Sequence, residues 1–225
     1  MRKALEKLCP ALSAEQREKM DVYWRMLLEW NGRVNLTAIT DTAEAAKKHF
    51  YDSLTALPYL QTGARCIDVG TGAGFPGLPL LIARPDLDMC LLDGLHKRVR
   101  FLEAVVAELG LKALCLHARA EDAGRDPAFR ERFDAALSRA VAPLPVLLEL
   151  TIPFLQVGGL AVCYKGEAAA EIERAAHALE ALHCRLETQT LSSDYGRRTL
   201  LLARKTQRTA AAYPRRAGLP ERRPL

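Results

Sequence analysis

The stretch Asp68-Val69-Gly70-Thr71-Gly72-Ala73-Gly74-Phe75-Pro76-Gly77 holds the residues of this chain best suited to gripping a nucleotide-like ligand. It follows a short apolar run and opens into a segment with helical character. Glycines let the backbone of such a turn approach a ligand closely, and the helix behind it presents unpaired N–H groups. Gly72 to Gly77 reads GxGxxG, and Asp93 stands about twenty residues on, where a dinucleotide fold keeps its ribose acid. Two further acids point elsewhere. Asp68, just ahead of Gly70, would oppose a pyrophosphate, whereas the ammonium and sulfonium of S-adenosyl-L-methionine both favour a carboxylate. Glu121 and Asp122 close the third strand candidate. A carboxylate there, beside a backbone N–H, can read the amine and N1 of adenine. Asp68, Asp93 and Glu121 or Asp122 thus suit methionine, ribose and adenine in turn. S-adenosyl-L-methionine is the favoured cofactor. A dinucleotide stays open as the alternative if Asp68 merely caps its own loop.

The elements that must position these residues follow from hydrophobic periodicity. Apolar runs at Arg65–Val69, Asp88–Leu92, Ala113–His117, Phe133–Leu137, Leu160–Tyr164, Cys184–Leu191 and Thr199–Ala203 read as strands. Helix-like segments separate the first six: one after Pro76, then His96–Leu109, a short piece near Pro127–Arg130, Pro143–Phe154 and Glu167–Leu182. Such alternation makes a parallel sheet covered on both faces. Ser192-Ser193-Asp194-Tyr195-Gly196 joins the last two strands without a helix and predicts an antiparallel hairpin. The fold class is α/β: a seven-stranded Rossmann-like sheet that resembles the S-adenosyl-L-methionine-dependent methyltransferases, with an N-terminal helical extension. In that extension Met20, Tyr23, Trp24, Leu27 and Leu28 recur at helical spacing, behind a capping box of Ser13 and Gln16. Asn31-Gly32 is expected to end this helix, and a second runs from about Thr42 to Leu57, stopped by Pro58. Three parts result: an extension over 1–60, a methyltransferase domain over 61–205, and a basic tail over 206–225 expected to be disordered.

Composition narrows the class. The chain has 225 residues, 49% hydrophobic and 26% charged, enough for a full core. No apolar run is long enough for a membrane span or a signal sequence, so the expectation is a cytoplasmic protein. The six cysteines form no CxxC pair and no cluster at zinc spacing, so no metal site is expected. Four of them fall inside strand candidates and read as small buried hydrophobes. The net charge of +5 is concentrated at Lys97, Arg98 and Arg100 and again beyond Gly196. That distribution suits a polyanionic partner, although basic tails are also common solubilising ends. Nothing marks a dimer interface, and a monomer is the expectation.

Several motifs come in the order of one family. They are Asn35-Leu36-Thr37-Ala38-Ile39, Lys48-His49 with Asp52-Ser53-Leu54, and the glycine loop. Leu91-Leu92-Asp93 with Lys97 to Leu102, Ser138-Arg139-Ala140 and Lys165-Gly166 follow. Together they resemble the glucose-inhibited division protein B family, bacterial methyltransferases acting on guanine N7 in 16S ribosomal RNA, over about Leu12 to Lys205. The resemblance implies cofactor contacts at Gly70, Phe75, Ala120, Glu121 and Arg139, beside Asp68, Gly72 and Asp93. It implies 16S ribosomal RNA or the small ribosomal subunit as partner. Lys48 stands where the family usually has Arg, and Gly94 where Ser is common.

The absence of other motifs agrees with that chemistry. Guanine N7 offers a lone pair and carries no proton, so no general base is expected, and positioning with electrostatics can do most of the work. No Asn/Asp-Pro-Pro-aromatic motif follows the fourth strand, and Cys163 lies inside an apolar run rather than in a reactive setting. Arg139, at a strand end, is read either as a cofactor or guanine contact or as an ion pair with Asp134 or a nearby Glu. Lys97, Arg98, Arg100 and Lys165 are RNA-contact candidates, with solvated charge as the alternative. His49, His117, Trp24 and Trp30 read as structural. A methyltransferase of the same fold acting on another RNA or a small molecule is the competing function.

Overall fold

Local caps and side-chain clamps shape the first sixty residues of the computed structural model, which describes residues 1–225. Helix α1 covers Arg2–Leu8 and α2 covers Ala14–Val34. The Ser13 hydroxyl accepts from the Gln16 N–H and the Gln16 side chain accepts from the Ser13 N–H, closing the predicted capping box. Met20, Tyr23, Trp24 and Leu27 are buried, as their spacing requires, while Leu28, at the edge of the stripe, is exposed. The helix does not end at Asn31-Gly32. It continues to Val34 and is capped by Asn35 in the left-handed conformation, at φ 52°. Asn31 acts through its side chain instead: Oδ1 accepts from the N–H groups of Leu36 and Thr37, and Nδ2 donates to the Thr37 carbonyl. The next run is continuous but not uniform. It comprises α3 (Thr42–Ala45), a π-helical segment (Ala46–Tyr51) and α4 (Asp52–Leu54).

The sheet consists of β1 (Arg65–Val69), β2 (Asp88–Asp93), β3 (Ala113–His117), β4 (Phe133–Arg139), β5 (Leu155–Lys165), β6 (Cys184–Leu191) and β7 (Arg198–Lys205). Their order is β3-β2-β1-β4-β5-β7-β6, with β7 alone running opposite to the other six. Between them lie α5 (Gly77–Ala83), α6 (His96–Glu108), α7 (Ala120–Ala123), α8 (Leu144–Thr151), α9 (Ala169–Arg174) and α10 (Ala176–Ala181). Strand periodicity divides the core: Cys66 points into the cluster shared with α2, and Ile67 and Val69 into the cluster shared with α8. The extension therefore packs on one face of the sheet. No helix is long and apolar enough to cross a membrane.

Three further sequence expectations change. The helix expected near Pro127–Arg130 is a turn, and the helical piece lies earlier, at α7. The segment Glu167–Leu182 breaks at Ala175 into α9 and α10. The third change is the largest: Thr206–Leu225 is not a disordered tail but folds back over α7 and α8 and ends in α11 (Leu219–Arg222). Arg130 donates to the carbonyls of Thr209 (2.8 Å), Ala210 (3.1 Å) and Tyr213 (2.7 Å), and Arg125 to that of Pro214 at 2.7 Å. Arg215 grips Glu149, a fully buried carboxylate of α8, through Nη2 at 2.6 Å and its own N–H at 2.7 Å. Composition registers the basic charge of this segment but not the acids and arginines waiting for it.

Removing Arg215 leaves the Glu149 carboxylate buried with only a backbone donor. Arg215→Ala should therefore destabilise the fold by about 3 kcal/mol, read as a lower urea midpoint. Arg197→Ala, which breaks the exposed pair with Glu167, should leave the midpoint in place.

Candidate cofactor crevice and acceptor cavity

The strand order reverses between β1 and β4, so a crevice opens at their carboxyl ends. β1 delivers Asp68 and the glycine loop to it. Asp68 is fully buried; its Oδ2 accepts from the Thr71 hydroxyl at 2.6 Å and from the Gly77 N–H at 2.8 Å. A Cβ on Gly77 would sit 2.8 Å from that same oxygen and 2.5 Å from Leu91, so glycine is obligatory where α5 meets β1. Asp68 is thus a loop cap through one oxygen. Its Oδ1 has no partner at all. Burial raises its pKa to about 6, against the pull of Thr71, Gly77 and Arg139. An orphaned buried carboxylate oxygen is costly unless a donor or cation arrives.

β2 delivers Asp93, whose Oδ2 accepts from the Gly72 N–H at 2.9 Å and whose Oδ1 accepts from the Leu95 N–H at 2.8 Å. Arg98 approaches it at 3.4 Å. Glu121 follows β3 on α7, buried, with Oε1 accepting from the Gly218 N–H at 2.8 Å. Gly70, Asp93, Ala120 and Glu121 line one cavity of about 110 Å³. Gly70, at φ 70°, leaves no room for a side chain: a Cβ would meet Val141 at 2.6 Å. The structure therefore brings together Asp68, Gly72, Asp93 and Glu121, expected from the strand-end pattern, and Gly70 and Ala120, expected from the resemblance. An unsatisfied carboxylate oxygen beside a glycine cradle suits an ammonium-bearing nucleoside better than a pyrophosphate.

Phe75 is held by the extension. Its ring lies 4.6 Å from His49 at 22°, 5.2 Å from Tyr23 and 5.4 Å from Phe50. The Tyr23 hydroxyl donates to the Ala73 carbonyl inside the glycine loop. Arg139, at the end of β4, has its guanidinium carbon 5.1 Å from the Phe75 centroid, within cation–π range. Its ion pair is not with Asp134, which instead accepts from the Arg65 N–H and Gln156. It is with Asp52 of α4, at 3.1 Å, and Arg139 also donates to the Lys48 carbonyl at 2.9 Å. Asp52 is buried and accepts a second guanidinium, Arg198, at 2.9 and 3.0 Å.

The tautomer of His49 follows from these neighbours. A guanidinium only donates, so Nδ1 accepts from Arg139 Nη2 at 3.3 Å and the proton sits on Nε2, which donates to the Thr37 hydroxyl at 2.8 Å. Burial, with help from Arg139, lowers the His49 pKa to about 4. Asn31 fixes Thr37, so the Asn-Leu-Thr stretch acts as a support for His49. These residues surround a second cavity of about 370 Å³, lined by Lys48, His49, Arg139, Tyr164, Lys165 and Arg198 among others. Every formally charged side chain that lines it is a cation. Residues 139 to 141 separate it from the first cavity.

Arg198 and Tyr23 carry no local signal of their site role, because their partners Asp52 and Ala73 are remote in the chain; Thr37 and Asp52 stand in the family motifs, but their bonds to His49 and to the two arginines are not legible there. Lys97 and Arg100 are exposed on α6, while Lys165 is tied to Glu171 and the Ala142 carbonyl, both at 2.7 Å. His117 is exposed rather than in the core, since β3 is an edge strand. Trp24 is buried and Trp30 packs on Phe101. Cys163 is fully buried and its thiol is pushed up to about 12, so it is no nucleophile.

A family model described as rRNA small subunit methyltransferase G, GidB, matches residues 16–201. The chain belongs to this family. The family's ribosomal RNA small subunit methyltransferase G of Desulfitobacterium hafniense (strain Y51) is 47% identical over 219 residues, 95% of this chain and 91% of its own. The protein of the same name from Streptococcus equi subsp. zooepidemicus (strain H70) is 43% identical over 231 residues, 99% of this chain and 97% of its own. Among solved structures, cofactor-bound Rv0187 from MTB superposes with a TM-score of 0.59 at 17% identity, over 83% of this chain and 91% of that one. Membership makes the chain an S-adenosyl-L-methionine-dependent methyltransferase and sets the dinucleotide reading aside.

The folded chain keeps the Asp68 proton up to about pH 6, whereas the ordinary value is 3.8. The resulting cost is absent below the lower value, grows as pH rises and is complete above the upper one. Asp68→Asn should therefore stabilise the ligand-free protein by on the order of 2 kcal/mol at pH 8 and by less at pH 5. It should also weaken S-adenosylhomocysteine binding. Equal gains at both pH values in thermal melts would refute this account of Asp68.

Proposed function

We propose that this chain transfers a methyl group from S-adenosyl-L-methionine to N7 of a guanine in 16S ribosomal RNA, with the crevice holding the cofactor and the cationic cavity receiving the base. The observation that carries the proposal is the second cavity, lined by cations and containing no group free to act as a base. His49 is neutral with both ring nitrogens engaged, and Asp52 lies between two guanidiniums. The Tyr164 hydroxyl donates to the Ser53 carbonyl at 2.6 Å, and burial holds its pKa far above neutrality. An acceptor that must lose a proton would find no taker here. Guanine N7 has none to lose.

In this reading Asp68, Gly70, Gly72, Phe75, Asp93, Ala120, Glu121 and Arg139 serve the cofactor site. When bound, the cofactor supplies an electrophilic methyl group on a sulfonium. The chain's own contribution is placement. Phe75 is clamped by His49, Tyr23 and Arg139, which steadies Arg139 in the wall between crevice and cavity. A guanidinium at that wall can donate to guanine O6 and leave N7 free. Lys97 and Arg100, and Arg98 and Lys165 at the crevice and cavity edges, are suited to phosphates of the RNA. The reading includes a cytoplasmic monomer acting on the small ribosomal subunit or its RNA.

Labelled cofactor should mark the RNA of small subunits lacking the modification, and nucleoside mass spectrometry should return 7-methylguanosine. Label in small molecules alone, or on another base atom, would overturn the proposal. Arg139→Lys should lower kcat/KM by about a hundredfold, since one ammonium cannot replace the guanidinium fork. Replacing Lys97 and Arg100 by Ala should weaken RNA binding and flatten its log-log salt dependence by about one per lost contact.

A further inference from the structure

The last twenty residues make contacts that the methyl transfer itself does not use. The strap is anchored at Arg215 on Glu149 and threaded past Arg125 and Arg130. It packs so tightly that a Cβ on Gly124, just beyond α7, would meet Pro214 at 3.1 Å. It reaches the crevice at one point: the Gly218 N–H donates to Glu121 Oε1 at 2.8 Å. Gly218 stands at φ 76°, immediately before α11, with no atom near the position of an added Cβ. Glu121 is 4% exposed and lines the crevice. Its other oxygen, Oε2, is 3.7 Å from Arg119 Nε, too far for a hydrogen bond.

We propose that the C-terminal strap is a positioning element for the nucleoside half of the crevice. Gly218 occupies Oε1 of Glu121, fixes the carboxylate in one orientation and leaves Oε2 to accept from the exocyclic amine of adenosine. The proposal rests on the reading of Glu121 as the adenine-binding acid. A glutamate left untethered would lose rotamer freedom on binding, and a tether made during folding removes that cost from the ligand's affinity. Arg215 and Gly218 are positioning residues and touch no reacting atom.

The test is a double-substitution cycle in the full chain. Gly218→Val forces a β-branched residue into the left-handed region without a clash, so the N–H moves while the Arg215 anchor stays. Calorimetry with S-adenosylhomocysteine should show affinity about 5- to 10-fold weaker. KM for the cofactor should rise by a similar factor with kcat unchanged. Glu121→Gln should weaken binding in its own right, and Gly218→Val should add nothing further in the double variant. Unchanged affinity in Gly218→Val, or a fully additive loss in the double variant, overturns the role of the strap. If Glu121→Gln binds as well as the parent chain, the adenine reading fails and the proposal fails with it. In the unsubstituted protein, amide exchange at Gly218 should slow when S-adenosylhomocysteine binds; faster exchange would mean that the ligand displaces the strap.

Discussion

Asp52 is the hinge of the architecture in an electrostatic sense. Its buried carboxylate accepts hydrogen bonds from Arg139 at the end of β4 and Arg198 at the start of β7. Two guanidiniums brought this close would repel one another, and a carboxylate between them turns that repulsion into a bridge. Because Asp52 belongs to the extension and the arginines to the sheet, the bridge also fixes the extension over the crevice. His49, Phe75 and Tyr23 then fall into one stack against the glycine loop. Breaking such a pair by removing one partner typically costs about 3–5 kcal/mol, because the remaining charge stays buried. The cationic cavity exists only while that anion holds its walls together.

The two buried acids of the site solve opposite problems. Asp52 is saturated with donors, so its charge stabilises structure. Asp68 is half-saturated, with one oxygen on Thr71 and Gly77 and the other on nothing. A fold that keeps an unsatisfied carboxylate at the edge of a crevice carries a cost that only a ligand relieves, the usual sign of a site tuned for binding rather than stability.

What could be read from the sequence was what depends on neighbours in the chain. The glycine loop, Asp93 and Glu121 stand at strand ends whose alternation is plain, and the topology that unites them is implied by the family resemblance. The Ser13 capping box was legible for the same reason. The pairing of Asp52 with Arg198 was not, because the two lie 146 residues apart and each is an ordinary surface-type charge in isolation. Asn-Gly signals a helix end, while here the Asn31 side chain clamps the loop beyond it. The strap, basic and containing Ala and Pro, has the composition of disorder, and only the fold reveals Glu131, Glu149 and Glu121 arranged along its path.

The π-helical segment Ala46–Tyr51 carries Lys48 and His49. A π turn holds one residue more than an α turn, so it amounts to a single inserted residue absorbed without breaking the helix. The insertion rotates everything on one side of it by about 100° relative to the other. Asp52 and Ser53, just beyond, face the ends of β4, β5 and β7, while α3 before it keeps its own face on α2. The phase of this one helix therefore constrains the length of the chain around it. A length change of one residue between Thr42 and Lys48, ahead of both, would turn the imidazole and the carboxylate away from Arg139 together.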